Sequence, residues 1–241
     1  MNQRGKMIAE FFLIVIGVLV ALMVETALED RQDENLRDEY ISRIRVDIES
    51  DKRAIEYRIE FFVAVKQFSR ATLDWLESDV SVDQESLLAS FYAAEIWPLI
   101  TNLSTYQDLH STGNLRLLKD IDLRTSLAAY YNKADSSRPG WNPSTDYREI
   151  VRGIIPSEIQ DLIRENCPTT DAFDQLPTGF PPCALNDIDY VSLTALFEPL
   201  REDAAFRQKL TYRDSELGVV IYLLRQQVVY ADAALMRITN Q

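Results

Sequence analysis

The strongest pattern in the sequence is an apolar run close to its start. Apolar residues are unbroken from Phe11 to Val24, and a few flanking residues extend the run to cover 8–28. A helix over 8–28 would rise roughly 31 Å at about 1.5 Å per residue, which is enough to cross the hydrocarbon core of a bilayer. The pattern predicts one transmembrane helix over 8–28, preceded by a short N-terminal tail over 1–7.

A cleaved signal peptide is the alternative explanation of this run. Arg4 and Lys6 precede it, as basic residues precede the apolar core of a signal peptide. However, no pair of small residues is well placed for cleavage after the run, and the sequence passes into a charged helical pattern without a break. These features favour an uncleaved anchor.

Four residues inside the predicted span differ from the rest. Glu10 and Glu25 lie near its two ends, where a carboxylate can reach the interface. Gly17 and Ala21 form a small-x-x-x-small pair, which allows two helices to approach closely in lipid, although chance also places such residues in spans. The span contains no histidine and so offers no imidazole to a haem or pigment.

Beyond the span, apolar residues recur every three or four positions, as on the buried face of a helix. The first stripe contains Leu36, Tyr40, Ile44, Ile48, Ile55, Ile59 and Phe62. A second stripe close to the C terminus contains Leu217, Val220, Ile221, Leu224, Val228, Ala231 and Leu235. We expect these two long helices to pack antiparallel. The predicted fold is all-α: the transmembrane helix continues into a long amphipathic helix, which packs in an extramembrane helical bundle over 29–241.

Shorter elements are marked by capping and breaking residues. Asp83 is placed to cap a helix that runs through Ile96. Gly113 is a typical helix C-terminal residue, and Pro156 should break the helix predicted after residue 145. The segment 136–145 holds two prolines and a glycine and is therefore predicted to be a loop.

The two cysteines flank a proline-rich segment. Cys167 and Cys183 lie within a predicted long loop over 166–187. In an oxidising compartment they would form a disulfide, whereas in the cytosol they would be two free thiols. A disulfide is favoured, because this loop has few other means of fixing its shape.

Charge alone does not decide the orientation of the anchor. More basic residues follow the span than precede it, which by count favours a cytoplasmic domain. Those that follow it are Arg31, Arg37, Arg43 and Arg45. They alternate with many acids, and large domains cross membranes regardless of charge. Together with the cysteine pair, this favours a single-pass protein of the cell inner membrane whose C-terminal domain is periplasmic.

Composition excludes several function classes. The formal net charge is −13 and no basic run occurs, so nucleic-acid binding is not expected. The chain has 7 glycines and no glycine-rich nucleotide-binding motif. His110 is the only histidine and is predicted to lie at a helix C terminus. We expect no catalytic site, no metal site and no cofactor.

Two segments resemble a family of uncharacterised bacterial single-pass membrane proteins. The run from Glu10 to Leu22 is similar to that family's "GE-apolar-VIGILIAL" anchor, with Ala9 in place of the usual glycine. The segment from Thr105 to Tyr131, which includes Ser-Thr-Gly-Asn-Leu, resembles its central "TY…SGNL…LR…YY" signature. The family is described as a domain of unknown function, so the resemblance implies an architecture rather than an activity.

The leading functional hypothesis is a non-catalytic, membrane-anchored structural or interaction subunit. It would scaffold or stabilise a larger membrane protein complex, of which a photosynthetic or respiratory assembly is one example. Its partners would be the lipid bilayer and either other membrane subunits or further copies of itself. The alternative is an extracytoplasmic sensor or small-ligand-binding module, with a pocket lined by Tyr106, Tyr130, Tyr131 and Trp141.

Overall fold

The computed structural model describes residues 3–97, 101–141, 144–167, 183, 185–186 and 188–240. These residues form helices and connecting segments, without a strand among them. The helices are α1 (Gln3–Glu77), α2 (Gln84–Ala93), α3 (Ser104–Ser111), α4 (Ile121–Ser137), α5 (Asp146–Ile154), α6 (Ser157–Asn166), α7 (Tyr190–Phe197), α8 (Pro199–Glu202) and α9 (Ala204–Thr239). Short 3-10 turns cover Asn114–Leu117 and Arg138–Trp141. The all-α prediction is confirmed.

Helix α1 combines the apolar segment and the amphipathic segment in one element. It is 75 residues long, which corresponds to about 112 Å. No proline interrupts it, and it begins at Gln3, inside the predicted tail. Its apolar side chains between Phe11 and Leu28 are exposed, whereas from Tyr40 onward it buries one stripe. The prediction that the apolar segment continues directly into a long helix is confirmed.

Helix α9 packs antiparallel to α1, as the two long apolar stripes predict. Lys52 Nζ lies 2.6 Å from Asp232 Oδ1, and Lys66 Nζ lies 2.8 Å from Asp214 Oδ2. The residue numbers therefore rise along α1 while they fall along α9. Because these ion pairs are partly exposed, the apolar side chains between the helices contribute most of the stabilisation.

Three groups of buried side chains follow one another along this α1–α9 seam. The group nearest the anchor includes Ile44, Leu127, Tyr130 and Ala231. The middle group includes Ile55, Phe62, Trp141 and Leu224. The distal group includes Trp75, Phe91, Tyr147 and Phe206. The shorter helices α2 to α8 thus complete the three groups, and α1 and α9 contribute side chains to each of them.

Several predicted helix ends are confirmed, and two are corrected. Asp83 caps α2 in a capping box, Gly113 has a φ of 74° after α3, and Pro156 separates α5 from α6. However, α2 ends at Ala93 and not at Ile96. Helix α4 and the following 3-10 turn also occupy much of the predicted loop 136–145, because Trp141 is buried there.

The early end of α2 is explained by arginines from distant parts of the chain. Arg213 Nε donates to the carbonyl oxygen of Ala93 at 3.1 Å, and an Arg148 guanidinium nitrogen donates to that of Ala94 at 2.8 Å. Arg152 contacts Glu95 in an ion pair. These cations satisfy carbonyl groups that a longer helix would have used and complement the negative end of the helix dipole.

Candidate functional site

The first candidate surface is the N-terminal part of α1. The most apolar 18-residue stretch of this helix has a mean hydropathy of 2.6. No part of this stretch is buried by the rest of the described chain. Phe11, Leu13 and Met23 are exposed by 64%, 74% and 70%. A helix that is apolar on every side and uncovered is typical of a membrane span. Within the part of the chain that the structure describes, two helices, α1 and α9, are long and apolar enough to cross a membrane.

The sequence-predicted residues of the span lie on this uncovered surface. Gly17 has open space where a side chain would project, and Ala21 is exposed. Glu10 and Glu25 are exposed near the two ends of the apolar segment. The small-residue face formed by Gly17 and Ala21 therefore makes no contact within the described chain and remains a prediction for contact with another helix.

Helix α9 differs from the anchor because one of its faces is buried in the bundle. Its buried positions are separated by alternating steps of three and four residues, as in a heptad repeat. They include Phe206, Leu210, Arg213, Leu217, Val220, Leu224, Gln227, Ala231, Ala234 and Ile238. This face packs on α1, α4 and α5. The apolar character of α9 is thus partly that of a core helix.

The opposite face of α9 carries a second heptad stripe, which we call the outer stripe. It consists of Tyr212, Ser215, Val219, Tyr222, Gln226, Val229, Ala233 and Met236. Each member lies two residues after a member of the buried face, about 200° around the helix. Its five large apolar side chains are between 53% and 61% exposed. None of the eight residues is charged, although 26% of the chain is.

The outward face of α1 shows what an ordinary surface of this bundle looks like. Positions two residues after its own buried stripe include the exposed, charged residues Arg53, Glu60 and Asp74, interspersed with uncharged residues such as Val46 and Ser50. A solvated helix face usually carries such charges. An uncharged, regularly spaced apolar stripe along 25 residues of α9 is instead typical of a helix that packs against a partner. Only the buried stripe of α9 was identified in the sequence analysis. The outer stripe has the same alternating steps of three and four residues, two positions further along, and could have been recognised from the sequence.

The third candidate feature is the base of the cysteine-flanked segment. Cys167 and Cys183 are joined by a disulfide, with 5.1 Å between their Cα atoms. Tyr92 donates its hydroxyl proton to the carbonyl oxygen of Cys167 at 3.1 Å. The Gln84 side chain donates to the carbonyl oxygen of Cys183 at 2.8 Å and accepts from the Leu185 amide at 2.9 Å. Both ends of the segment are therefore held by α2. Residues 168–182 of the predicted loop lie outside the described residues.

A polar cleft of about 490 Å³ lies beside α1 in the part of the bundle nearest the anchor. Among its lining residues are Asp51, Asn102, Ser104, Gln107 and Arg138.

The carboxylate of Asp51 forms the inner wall of this cleft. It is 6% exposed and accepts hydrogen bonds from the Asn102 amide at 3.0 Å and from the Tyr130 hydroxyl at 2.9 Å. Burial raises the pKa of Asp51 from 3.8 to about 6, and these two hydrogen bonds oppose the increase. A carboxylate with such a pKa titrates under mildly acidic conditions.

The four aromatic residues proposed as a ligand pocket do not form one. Tyr106 and Tyr131 stack on each other with 4.1 Å between ring centroids. Tyr130 is fully buried in the core group nearest the anchor. Trp141 is buried in the middle core group. The three tyrosines thus pack in one core group and Trp141 in another, so the structure does not bring the four rings together around one pocket.

Metal binding has no support in the described part of the chain. Among the described residues, no group of three or more histidine, cysteine, aspartate or glutamate side chains is placed to hold an ion. His110 lies in the last turn of α3 and is exposed, as its sequence position predicts.

Comparisons with family models, curated proteins and solved structures find no match for this chain. The geometry of the described residues is therefore the basis for assigning a function. Within it, the surfaces with no ordinary structural explanation are the uncovered anchor and the outer stripe of α9.

The raised pKa of Asp51 predicts a specific pH dependence of stability. A proton on Asp51 stabilises the fold, and this contribution is fully present below about pH 3.8 and lost as the pH rises through about 6. Between about pH 5 and pH 7 the free energy of unfolding should fall by about 1 kcal/mol more in the wild type than in Asp51→Asn, or about 3 °C in melting temperature. Thermal melts of the full chain in mild detergent measure this difference.

A matched control for this measurement is Asp74→Asn, which removes an exposed carboxylate of the same helix. It should keep the wild-type pH dependence. An Asp51→Asn chain whose melting temperature follows pH as the wild type does would show that Asp51 is not the titrating group.

Proposed function

We propose that this protein is a non-catalytic, membrane-anchored interaction subunit that holds a partner through the outer stripe of α9. The observation that carries the proposal is an uncharged heptad stripe that remains exposed on the face of α9 opposite the core. Covering side chains such as Val219, Tyr222 and Val229 would contribute about 1 to 2 kcal/mol each. A partner helix is the simplest structure that matches the spacing.

The continuity of α1 supports a partner that belongs to the same membrane. Because α9 packs along α1, its axis follows the axis of the anchor, and the outer stripe faces sideways. A stripe with this orientation can contact the extramembrane parts of other proteins that lie next to this one in the same bilayer. The proposed role is therefore to scaffold or stabilise a membrane assembly, with the bilayer as the second binding surface.

We further propose that the protein is a single-pass protein of a bacterial inner membrane with its helical domain in the periplasm. The disulfide between Cys167 and Cys183 supports an oxidising compartment, where such bonds persist. The resemblance of the anchor to that of bacterial single-pass proteins supports the inner membrane.

A small-ligand-binding module is the second candidate function. The observation that favours it is the cleft beside Asp51, which offers a buried carboxylate together with Asn102, Ser104 and Gln107. Thermal-shift screening with small polar solutes tests this candidate. Failure of every solute to raise the melting temperature would remove it.

The interaction role predicts a loss of assembly when charges are placed on the outer stripe. We expect the wild-type chain (27.7 kDa), extracted from native membranes in mild detergent, to migrate on native gels as a complex larger than one chain in its detergent micelle. The double variant Val219→Glu, Val229→Glu should migrate as the monomer in its detergent micelle, because buried unpaired carboxylates are costly.

The matched control is Val46→Glu, which places a carboxylate on an equally exposed position of α1, 60% exposed as Val229 is. It should leave the complex intact, and circular dichroism should show the same helix content in all three chains. A wild-type chain that is monomeric from the outset would contradict the proposed function.

The periplasmic placement predicts that the two cysteines are protected in cells. Cells are precipitated with acid, and their denatured proteins are treated with a polyethylene-glycol maleimide, which attaches to free thiols. The wild-type chain should be labelled only after reduction, whereas Cys183→Ser, which leaves Cys167 unpaired, should be labelled once without it. Double labelling of the unreduced wild type would place the domain in a reducing compartment.

A further inference from the structure

We propose that the partner that covers the outer stripe is a second copy of this chain, and that the two copies are joined through a parallel α9–α9 contact. This inference rests on the proposed function and names the partner of the same surface. In a two-fold symmetric dimer each stripe residue meets its own counterpart, so the stripe must be complementary to itself.

The heptad positions of the outer stripe satisfy that requirement. Its a positions are Tyr212, Val219, Gln226 and Ala233, and its d positions are Ser215, Tyr222, Val229 and Met236. Apolar residues would meet apolar residues along most of the seam. Gln226 would meet Gln226 of the partner subunit, and two facing amides can each donate and accept a hydrogen bond. A single polar a position is also a common means of setting the register of a parallel pair.

Charges beside the stripe are complementary in the same arrangement. In a parallel pair a residue at position g faces the residue five positions later, at position e, of the other helix. Asp232 would then face Arg237 of the partner subunit, and Arg225 would face Tyr230 of the partner subunit. Asp232 contacts Lys52 and Arg237 contacts Asp122, and their side chains remain 55% and 49% exposed. No pair of like charges arises at the g–e positions of the stripe.

The anchor fixes the direction of this pairing. Two copies inserted in one membrane with the same orientation can be related only by a two-fold axis along the membrane normal. Since α9 follows the axis of α1, this symmetry makes the two α9 helices parallel. In this arrangement the two α9 helices lie between the two α1 helices, so the anchors stand apart and Gly17 and Ala21 take no part in the pairing.

Lipid cannot be the occupant of the outer stripe. Arg45 hydrogen-bonds the carbonyl oxygen of Ile238, near the lower end of the stripe. Arg45 follows Leu28, the end of the apolar segment, by 17 residues of unbroken helix, which is about 25 Å. The whole stripe thus lies beyond the hydrocarbon core, where a protein surface and not lipid tails would cover it.

Cysteine cross-linking in the membrane tests this proposal on the full chain. The variant Val229→Cys places a thiol at a d position, while Arg53→Cys places one at the same height on the outward face of α1, next to the Lys52–Asp232 contact. With the native cysteines paired, the added thiol is the reactive one, and the wild type controls for background. Oxidation in membranes diluted with excess lipid should yield mostly covalent dimer for Val229→Cys and at least about tenfold less for Arg53→Cys.

A second substitution tests the register. Gln226→Lys, added to Val229→Cys, places two ammonium groups opposite each other and should lower the dimer yield by about tenfold. Ser50→Lys, on the outward face of α1, should leave the yield unchanged. Equal yields from Val229→Cys and Arg53→Cys, or no dimer from Val229→Cys, would overturn the proposal. If Val229→Cys forms no covalent dimer but the double variant Val219→Glu, Val229→Glu still dissociates the native complex, the outer stripe binds a different protein. The proposed function then stands.

Discussion

The antiparallel packing of α9 on α1 is the interaction on which the rest of the structure depends. It aligns three groups of buried side chains, from Ile44 near the anchor to Trp75 at the far end. The shorter helices complete this core and supply most of its distal group. Because α1 also carries the apolar segment, the same packing determines how the domain is held relative to a membrane. It also leaves the second heptad stripe of α9 on the outside of the bundle.

Much of this architecture could be predicted from periodicity and local capping chemistry. The stripes of α1 and α9, the cap at Asp83, the left-handed residue Gly113 and the break at Pro156 all depend on residues close together in sequence. Local signals of this kind are strong because helical hydrogen bonds and caps span only a few residues. The structure accordingly agrees with the sequence at these points.

The features that sequence reasoning missed depend on distant residues. Arg213 ends α2 through a contact across 120 positions, and no local pattern reports such a pairing. Asp51 becomes a buried carboxylate only because Tyr130 and the Asn102 amide are brought to it by the fold. The tyrosines and Trp141 suggested a pocket by their type alone, whereas packing placed them in two separate parts of the core. The heptad spacing of the outer stripe is present in the sequence, but only the packing of the bundle shows which of the two stripes of α9 stays exposed.

Helix α1 continues as one rigid helix from the apolar segment into the bundle, and both the anchoring and the orientation of the outer stripe depend on this continuity. Spin labels can be attached at Phe12→Cys and Val46→Cys, which are both exposed positions of α1. Pulsed electron–electron double resonance in liposomes then measures the distance between the two labels. Dilution with unlabelled chain restricts the measurement to distances within one molecule. A continuous helix of 34 residue steps predicts a narrow distribution centred near about 51 Å. A broad distribution, or one centred well below that distance, would show a hinge between anchor and domain and would contradict this account.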